Sequence, residues 1–478
     1  MPAHEVGANW SRVTEDRDAV IAALKRGECD GLVPAAGEFM DGFAEFLDDH
    51  GVLRFFEEFP DGRARRSIGP EFFCNTLLHK ALFRLPSLAQ IGPVLFHSPD
   101  VLRRLGFNLR QVNEGFYAGD GQRPFDPEAL ADFFDDLEPA QLEQHQLELS
   151  THLVQQCWEL CESGTAVLDA TTVTVPPGHY KRLGGQVKAC VLSLRAAGRV
   201  LPLLWDFTLR GPGEDGDLTQ GKQLLAAATQ AWGPGVIQRL LVDRGFIDGA
   251  WLSELKQAAG IDTIIGLRND MDLYEDMLGL SRLDDAQWLP ASPPKLHDKK
   301  TRPTREICPL RDLETWSACT VPLQGIVIRD TYPDRVQLQC LVTTDLDLTP
   351  QQLQAYNRDR WGIEESFMDL TRYWGLDNLG SCRLPVATAQ IHFIFLAYTL
   401  LHLFAHEQAQ PDQPLLPKPT LLPGREITAY WRGHYAVLFH SELFTIVFDH
   451  YQAWLENRDQ LIAAMRFCEG QPPQRAPD

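Results

Sequence analysis

Three acidic side chains stand where a carboxylate can do chemistry. Asp169 lies inside an apolar, β-branched run, Asp243 directly follows another apolar run, and Glu364 lies on a segment with helical spacing. An ionised carboxylate within an apolar strand is costly unless a cation or metal compensates it. Three such carboxylates suit two divalent ions about 3.5 to 4 Å apart that activate the attacking oxygen and stabilise the leaving oxygen of a phosphodiester. Oxygen-only ligands favour Mg²⁺, with Mn²⁺ possible, over zinc.

The segment 351–373 that carries Glu364 is predicted to be an amphipathic helix. At about 100° per residue, one face collects the side chains of Tyr356, Ile363, Phe367, Leu370 and Trp374. Arg360, Glu364 and Thr371 form a polar ridge along the edge of that face. This placement predicts a half-buried Glu364 that is held by Arg360 one turn earlier and faces the ends of the central strands.

The elements before this helix predict a mixed α/β fold. Their texture indicates three strands, a helix, a strand, a helix and a last strand, at 165–175, 186–194, 200–209, 218–232, 236–242, 247–259 and 261–267. Three successive strands favour an antiparallel meander, and the alternation that follows places a mixed sheet between helices. Asp243 would then lie at the carboxyl end of the fourth strand, where parallel strands present ligands.

Changes in the pattern of apolar, charged and β-branched residues along the chain predict five regions. They are an acidic, mostly helical N-terminal domain, a catalytic domain in two pieces, a β-rich insertion, a helical C-terminal region and a disordered tail, at 1–160, 161–268 plus 351–406, 269–350, 407–468 and 469–478. Dimerisation and DNA-end binding stay open as alternative roles of the N-terminal domain. Strands are expected in the insertion at 316–322, 325–329 and 336–344. Its loop 291–305 carries cations that either contact phosphate or form a solvated surface, namely Lys295, Lys299, Lys300, Arg302 and Arg305.

Composition restricts the class of protein. The formal net charge of −21 excludes a wholly basic nucleic-acid binder. The charge is uneven, because residues 1–160 hold 14 basic and 27 acidic side chains whereas 161–270 hold 11 of each. Ten cysteines without paired CxxC spacing, and no apolar leader, predict a cytoplasmic protein with reduced thiols. The apolar run 391–404 is too short to span a bilayer, so no membrane partner is expected.

Zinc is a minor alternative to an oxygen-ligand metal. Cys157 and Cys161, like His402 and His406, have the i,i+4 spacing of a ligand pair. Each pair lacks the second pair that a four-coordinate site requires.

Four sequence stretches together carry a family resemblance. They are LDATTV around Asp169, LLVDRGF around Asp243, IIGLRND at 264–270, and YNRDRWGIEESFMDL at 356–370. With this set, residues 165–405 resemble the DDE transposases of bacterial insertion sequences, and more narrowly the insertion sequence four group. RWGIEESF with the upstream VDRGF is the most specific part.

This resemblance implies a fold and an activity. The fold would be a ribonuclease H-like catalytic core, interrupted by a β-rich insertion before the helix that bears the Glu. Asp169, Asp243 and Glu364 would hold two Mg²⁺ ions for strand cleavage and strand transfer. The expected partners are double-stranded DNA, as inverted-repeat ends and target, and a second copy in a synaptic homodimer at the nucleoid. A Trp of the insertion, Trp288 or Trp316, would receive a flipped base, unless each is a core residue.

The helix that carries Glu364 departs from the family signature at two positions, and the second departure concerns DNA-end binding. Tyr356 lies one residue further from Arg360 than the signature requires, and Thr371 stands where a Lys is expected. Arg372, pointing about 100° away, would have to replace that Lys. We expect DNA affinity to depend on Arg side chains, Arg244 beside Asp243 among them, and on the loop 295–305, and to fall steeply with salt.

Two other functions compete with an active transposase. The departure at Thr371 favours a domesticated or inactive descendant that only binds DNA. A glycosidase using two of the carboxylates would need aromatic sugar platforms beside each acid, and none stands beside Asp169.

Overall fold

The computed structural model describes residues 14–34, 38–63, 68–96, 99–107, 111, 124–156, 161–175, 186–196, 198–209, 216–293, 303–407 and 426–457. The chain divides into two compact units. The first comprises Met1–His145, Val175–Tyr180 and Tyr373–Asp478, and the second comprises Gln146–Thr174 and Lys181–Arg372. All three candidate acids lie in the second unit.

Helices and strands of the described residues follow one another along the chain in this order: β1 (Thr14–Glu15), α1 (Arg17–Lys25), β2 (Gly31–Pro34), α2 (Glu38–Asp49), α3 (Val52–Glu57), α4 (Pro70–Leu82), α5 (Pro99–Arg104), α6 (Pro127–Asp135), α7 (Pro139–Gln156), β3 (Cys161–Thr174), β4 (Gln186–Ala196), β5 (Arg199–Leu209), α8 (Asp217–Trp232), β6 (Arg239–Val242), α9 (Gly249–Glu254), β7 (Asp262–Gly266), α10 (Asp272–Leu280), β8 (Leu289–Ala291), β9 (Thr304–Leu313), β10 (Leu323–Thr331), β11 (Val336–Thr343), α11 (Pro350–Trp374), α12 (Leu384–Glu407), β12 (Glu426–Trp431), β13 (His434–Phe439), α13 (His440–Asp449) and α14 (Tyr451–Glu456).

The second unit is built on a large mixed sheet. Among the described residues its strands follow the order β5-β4-β3-β6-β7-β11-β10-β9-β8. The strands β3, β4 and β5 form the predicted antiparallel meander, and β6 and β7 run parallel to β3. The mixed α/β fold class is confirmed, and β3 to β7 form the mixed part of the sheet in which an antiparallel meander is followed by parallel strands.

Apolar side chains fix α11 and α8 against the central strands. Ile363 of α11 packs in one cluster with Val167 of β3 and Leu241 of β6. Gly221 brings α8 close to the strands, since a Cβ at this position would lie 2.7 Å from Phe246 and 2.9 Å from Leu168. The residues immediately before Asp169 and just after Asp243 are therefore held by packed core.

The segment 269–350 extends the sheet. Its strand β11 pairs antiparallel with β7, and β10, β9 and β8 follow outward. The predicted strand 316–322 is wrong, because these residues form turns and irregular structure. The strand β9, which the apolar pattern missed, instead pairs with β10 over most of its length.

The first unit has an aromatic helical core. Phe73 of α4 stacks on Phe133 of α6, with ring centroids 4.7 Å apart. Phe393 of α12 lies 5.8 Å from Phe134. The helix α12 is long and apolar enough to cross a membrane, but 83% of its most apolar window is buried inside the structure. Such burial is what the core helix of a globular protein shows.

A small sheet also belongs to the first unit, in the order β1-β13-β12-β2. It corrects the prediction that the region 407–468 is helical, because β12 and β13 form a hairpin there and only short helices follow. The turn residues Arg432 and Gly433 have φ of 46° and 82°. Positive φ at both positions is the requirement of a type I′ turn, which joins strands with matching twist.

Candidate active site

Asp169 and Asp243 lie side by side where two central strands of the sheet stop pairing. The strands β3 and β6 are parallel neighbours, with Leu168 opposite Val242, so the next residue of each chain segment is an acid. The carboxylate of Asp169, 16% exposed, accepts a hydrogen bond of 2.8 Å from the backbone N–H of Ala170. Asp243 begins a 3₁₀ turn at the carboxyl end of β6, as the sequence predicted.

Arg360 links Glu364 of α11 to Asp169 of the sheet. Nη2 of Arg360 lies 3.1 Å from Oε1 of Glu364, and Nη1 lies 3.7 Å from Oδ2 of Asp169. One guanidinium therefore bridges an acid of the helix and an acid of the sheet. Glu364 is 41% exposed, which agrees with the half-buried ridge predicted from the helical spacing.

Close contacts hold α11 in register with the meander. The Ser366 hydroxyl donates to the carbonyl of Val200 at 2.8 Å. A Cβ at Gly362 would lie 2.7 Å from Cγ2 of Val200, so only glycine allows this approach. Asp359, one residue before Arg360, forms an ion pair with Arg195 of β4. These contacts fix where Arg360 and Glu364 stand along the sheet.

The three acids share one electrostatic environment. The pKa of Asp169 is raised from 3.8 to about 6, first because burial penalises its charged form. The negative charges of Asp243 and Glu364 raise it further, whereas the Ala170 N–H and the Arg360 guanidinium lower it. A carboxylate in this position gains stability from any cation that approaches the cluster.

These side chains provide the right ligand atoms for a divalent metal, but in this structure they do not lie close enough together to hold one. Three carboxylates are the oxygen ligands that Mg²⁺ and Mn²⁺ prefer. Among the described residues, however, no three His, Cys, Asp or Glu side chains lie close enough together to hold a metal ion. Arg360 stands between two of the acids, so the cluster is neutralised in part by a cation of the protein itself.

Tyr356 lies away from the acids. Its hydroxyl accepts a hydrogen bond of 2.7 Å from Nη1 of Arg239, the first residue of β6, whose guanidinium lies over the ring. Arg239 also pairs with Asp345 at 2.6 Å. Since Asp243 follows the other end of β6, the predicted site-supporting role of Tyr356 is replaced by a structural one: it fastens α11 to the start of the strand.

Of the five cations predicted in the basic loop, Arg305 lies within the described residues. Arg305 belongs to β9 and forms a bidentate pair with Asp330 of β10, at 2.7 and 2.6 Å. Both side chains are mostly buried, so Arg305 stabilises the sheet and is not available to a phosphate. Lys295, Lys299, Lys300 and Arg302 lie outside the described residues.

The two predicted tryptophans differ in their surroundings. The guanidinium of Arg329 lies 3.8 Å over the ring of Trp288, whose indole N–H donates to the carbonyl of Ser281, so this Trp is tied into the sheet. Trp316 is half-buried in a turn that is anchored on α9, where the Thr320 N–H donates to Ser253 at 2.8 Å.

Arg244 and Arg372 are both exposed. Arg244, beside Asp243, has no hydrogen-bond or ion-pair partner in the described part of the chain. Arg372 lies two turns beyond Glu364 on α11, next to half-buried Thr371, and its charge acts on Asp369.

Sequence reasoning missed two residues of this edge. Trp361 follows Arg360 and is exposed, with the Arg360 guanidinium 5.6 Å from its ring. Its position opposite the apolar stripe of α11 was the available signal. Gly221, which admits α8 to the strands, gave no signal in one sequence, because a glycine within a helix does not say what it packs against.

Comparison with known proteins identifies the family. No curated protein matches the sequence. Among solved structures, the chain is similar to piggyBac transposase in a synaptic complex with hairpin DNA, at 11% identity and a TM-score of 0.42, over 93% of this chain and 87% of that one. The family model of the transposase DDE domain matches residues 161–400, half of the chain, and spans Asp169, Asp243 and Glu364. The chain belongs to the DDE transposase family, as its sequence resemblance indicated.

Proposed function

We propose that this transposase cleaves DNA at the ends of an insertion sequence and transfers the freed strands to a target, and that it belongs to the insertion sequence four group. The observation that carries the proposal is the clustering of Asp169, Asp243 and Glu364 where the parallel pairing of β3 with β6 ends. An acid whose pKa is raised first by burial and then by two neighbouring acids is typical of a functional site.

Each residue has a distinct task in this proposal. Asp169, Asp243 and Glu364 are the carboxylates that would hold two divalent ions, Mg²⁺ or Mn²⁺, once they approach one another more closely than in this structure. The ions would supply activation of the attacking water or 3′-hydroxyl and stabilisation of the leaving oxygen. Arg360 keeps Glu364 and Asp169 oriented toward each other by its contacts with both. The packing of Ile363 and Ser366 prevents α11 from sliding along the sheet.

Double-stranded DNA is the proposed substrate. Arg244 places an exposed cation, unpaired within the described residues, directly beside Asp243, where a phosphate bound at the acids would lie. Arg contacts to phosphate position DNA and give an affinity that falls with salt. We expect Arg244→Ala to weaken DNA binding and to reduce the slope of log affinity against log salt by about one. An unchanged slope would exclude Arg244 from the interface.

The proposal is tested by end cleavage. The purified chain is incubated with DNA that carries its own element ends and Mg²⁺ or Mn²⁺, and nicked strands are measured. Wild type should nick, and Asp169→Asn should lose at least about 1,000-fold, since a residue of the reacting cluster contributes several kcal/mol. Asp206→Asn is the matched control, because Asp206 also accepts from the next backbone N–H but lies outside the trio. No nicking by wild type, or equal loss in both variants, contradicts the proposal.

A descendant that only binds DNA is the second candidate. Thr371, half-buried at the position where the family signature has a Lys, is the observation that favours it. Calorimetric titration of Mn²⁺ into wild type and into Asp169→Asn separates the two functions. Metal binding that is lost in the variant supports the enzyme, whereas DNA binding without metal binding supports the descendant.

A further inference from the structure

The guanidinium of Arg360 lies between two of the three acids. It is 12% exposed, with Nη2 at 3.1 Å from Oε1 of Glu364 and Nη1 at 3.7 Å from Oδ2 of Asp169. The contact with Glu364 joins successive turns of one helix, as i,i+4 pairs commonly do. The contact with Asp169 crosses from α11 to β3, and it brings the positive charge to the place where an ion shared by the two acids would be held.

The same guanidinium sets the distance between the two acids. Mg²⁺ takes its oxygen ligands at about 2.0 to 2.1 Å, whereas the carboxylates of Glu364 and Asp169 stand at 3.1 and 3.7 Å from different nitrogens of one planar group. Carboxylates on either side of so wide a cation are too far apart to share a small one. The position of Arg360 therefore accounts for the spacing of the described acids, which does not suit a metal ion.

The strands and the helix that carry the acids are fixed, so the adjustable part is the side chains. Asp169 and Asp243 follow residues of β3 and β6 that pair in parallel. The Ser366 hydroxyl donates to the carbonyl of Val200 and sets the position of α11 along the sheet. Glu364, by contrast, is 41% exposed and has room to turn. Departure of the guanidinium is the change that lets the acid of the helix approach the acids of the sheet.

Arg360 is held less firmly than Arg305 of the same unit. Arg305 binds Asp330 through two hydrogen bonds of 2.7 and 2.6 Å. Arg360 contacts each acid through one nitrogen, and its 3.7 Å distance to Asp169 exceeds that of a hydrogen bond. The ring of Trp361, 53% exposed, has its centroid 5.6 Å from the Arg360 guanidinium. Because an aromatic face within about 6 Å attracts a cation, Arg360 can leave the acids and keep a partner.

We propose that Arg360 is the resting occupant of the cation position between Asp169 and Glu364, and that a divalent ion is held there only after the guanidinium has moved out toward Trp361. The inference rests on the proposed function for the identity of the ion. It goes beyond that function by making ion binding a competition with a side chain of the protein itself. Such a competition lowers the apparent affinity for the ion by the factor with which the resting arrangement is preferred.

Calorimetric titration of Mn²⁺ into the full chain without DNA tests the competition. Arg360→Gln should bind Mn²⁺ at least about tenfold more tightly than wild type, because it removes a positive charge from between the two acids. If Arg360 only oriented the acids for the ion, the same variant would bind more weakly. Arg195→Gln is the matched control, since it removes a guanidinium that links α11 to the sheet through Asp359, and it should bind as wild type does. Circular dichroism and the melting temperature check that each variant folds.

A second measurement uses wild type alone and follows the guanidinium directly. Arginines are labelled with phenylglyoxal, in chelator or in saturating Mn²⁺, and the labelled positions are measured by mass spectrometry. Labelling of Arg360 should become several-fold faster with Mn²⁺, while labelling of Arg195 stays the same.

Two results overturn the inference. One is Mn²⁺ binding by Arg360→Gln that is no tighter than that of wild type, and the other is labelling of Arg360 that Mn²⁺ leaves unchanged or slows. Either result, with normal nicking of element ends by wild type, leaves the proposed function standing. Tighter Mn²⁺ binding by the variant, with no nicking by wild type, contradicts the proposed function and supports the competition.

Discussion

Replacing Asp169 with Asn should stabilise the metal-free protein while it abolishes cleavage. The carboxyl has its pKa raised from 3.8 to about 6, so the folded state binds its proton more tightly than the unfolded state does. The stability of the folded state therefore falls as pH rises from about 4 to about 6, and the loss is complete above that range. At 1.36 kcal/mol for each pKa unit, ionised Asp169 costs the folded state about 3 kcal/mol, and asparagine removes that cost.

The assay is urea or thermal unfolding of wild type and Asp169→Asn in the presence of a chelator, at several pH values. At neutral pH the variant should be more stable by up to about 3 kcal/mol. The difference should shrink as pH falls through about 6 and vanish near 4. Without chelator, Mg²⁺ or Mn²⁺ should stabilise wild type and not the variant, because a bound ion compensates the ionised acid.

An Asn variant that is less stable than wild type at neutral pH would refute this reasoning. So would a difference that stays constant from pH 4 to pH 8. Either result would mean that Asp169 is held by its contacts with Arg360 and Ala170 more strongly than burial and the neighbouring acids oppose it.

Three further substitutions separate structural from catalytic residues. Tyr356→Phe should lower the free energy of unfolding by about 1 kcal/mol and leave cleavage intact; a large loss of cleavage at full occupancy of folded protein would return this residue to the active site. Arg305→Ala should destabilise by about 3 to 5 kcal/mol, because it leaves Asp330 buried without its partner, while the salt dependence of DNA binding stays that of wild type; a changed salt slope with normal stability would contradict the structure. Gly221→Ala should lower the free energy of unfolding by about 1 to 3 kcal/mol and should also reduce cleavage. Gly279→Ala is the control, because nothing lies within 4 Å of its added Cβ, and it should be neutral or slightly stabilising. Similar melting curves for the two variants would count against the tight packing of α8.

The sequence was sufficient for the central sheet and its acids. The runs that end at Leu168 and Val242 are apolar and β-branched, and each is followed by an acid, so strand pairing brings Asp169 and Asp243 together. The spacing of α11 predicted which face carries Glu364. These features are local, and their periodicity survives in one sequence.

Pairing partners far along the chain were not predictable in the same way. The strand β9 carries Arg305, Glu306 and Arg311, and its Pro309 argued against a strand. Its charges find partners only across the sheet, as Arg305 does with Asp330 and Glu306 with Arg329. From composition alone, Arg305 was assigned to the basic loop 291–305. The site-supporting role predicted for Tyr356 has a related weakness. A helical wheel shows which face a residue lies on but not its distance along the axis, and Tyr356 lies about 12 Å along α11 from Glu364.

The small sheet of the first unit has a consequence for the order of folding. The strand β2 pairs with β12, and β1 pairs with β13, so segments 14–34 and 426–457 complete one core that includes Leu24 and Trp454. During synthesis the early strands have no partners until almost the whole described chain has left the ribosome, whereas the β3–β11 sheet can assemble sooner. Leu24 and Leu32 must remain uncovered throughout that time. A chain that stops before β12 and β13 would therefore contain the acidic cluster but leave Leu24 and Leu32 without the strands that complete their core.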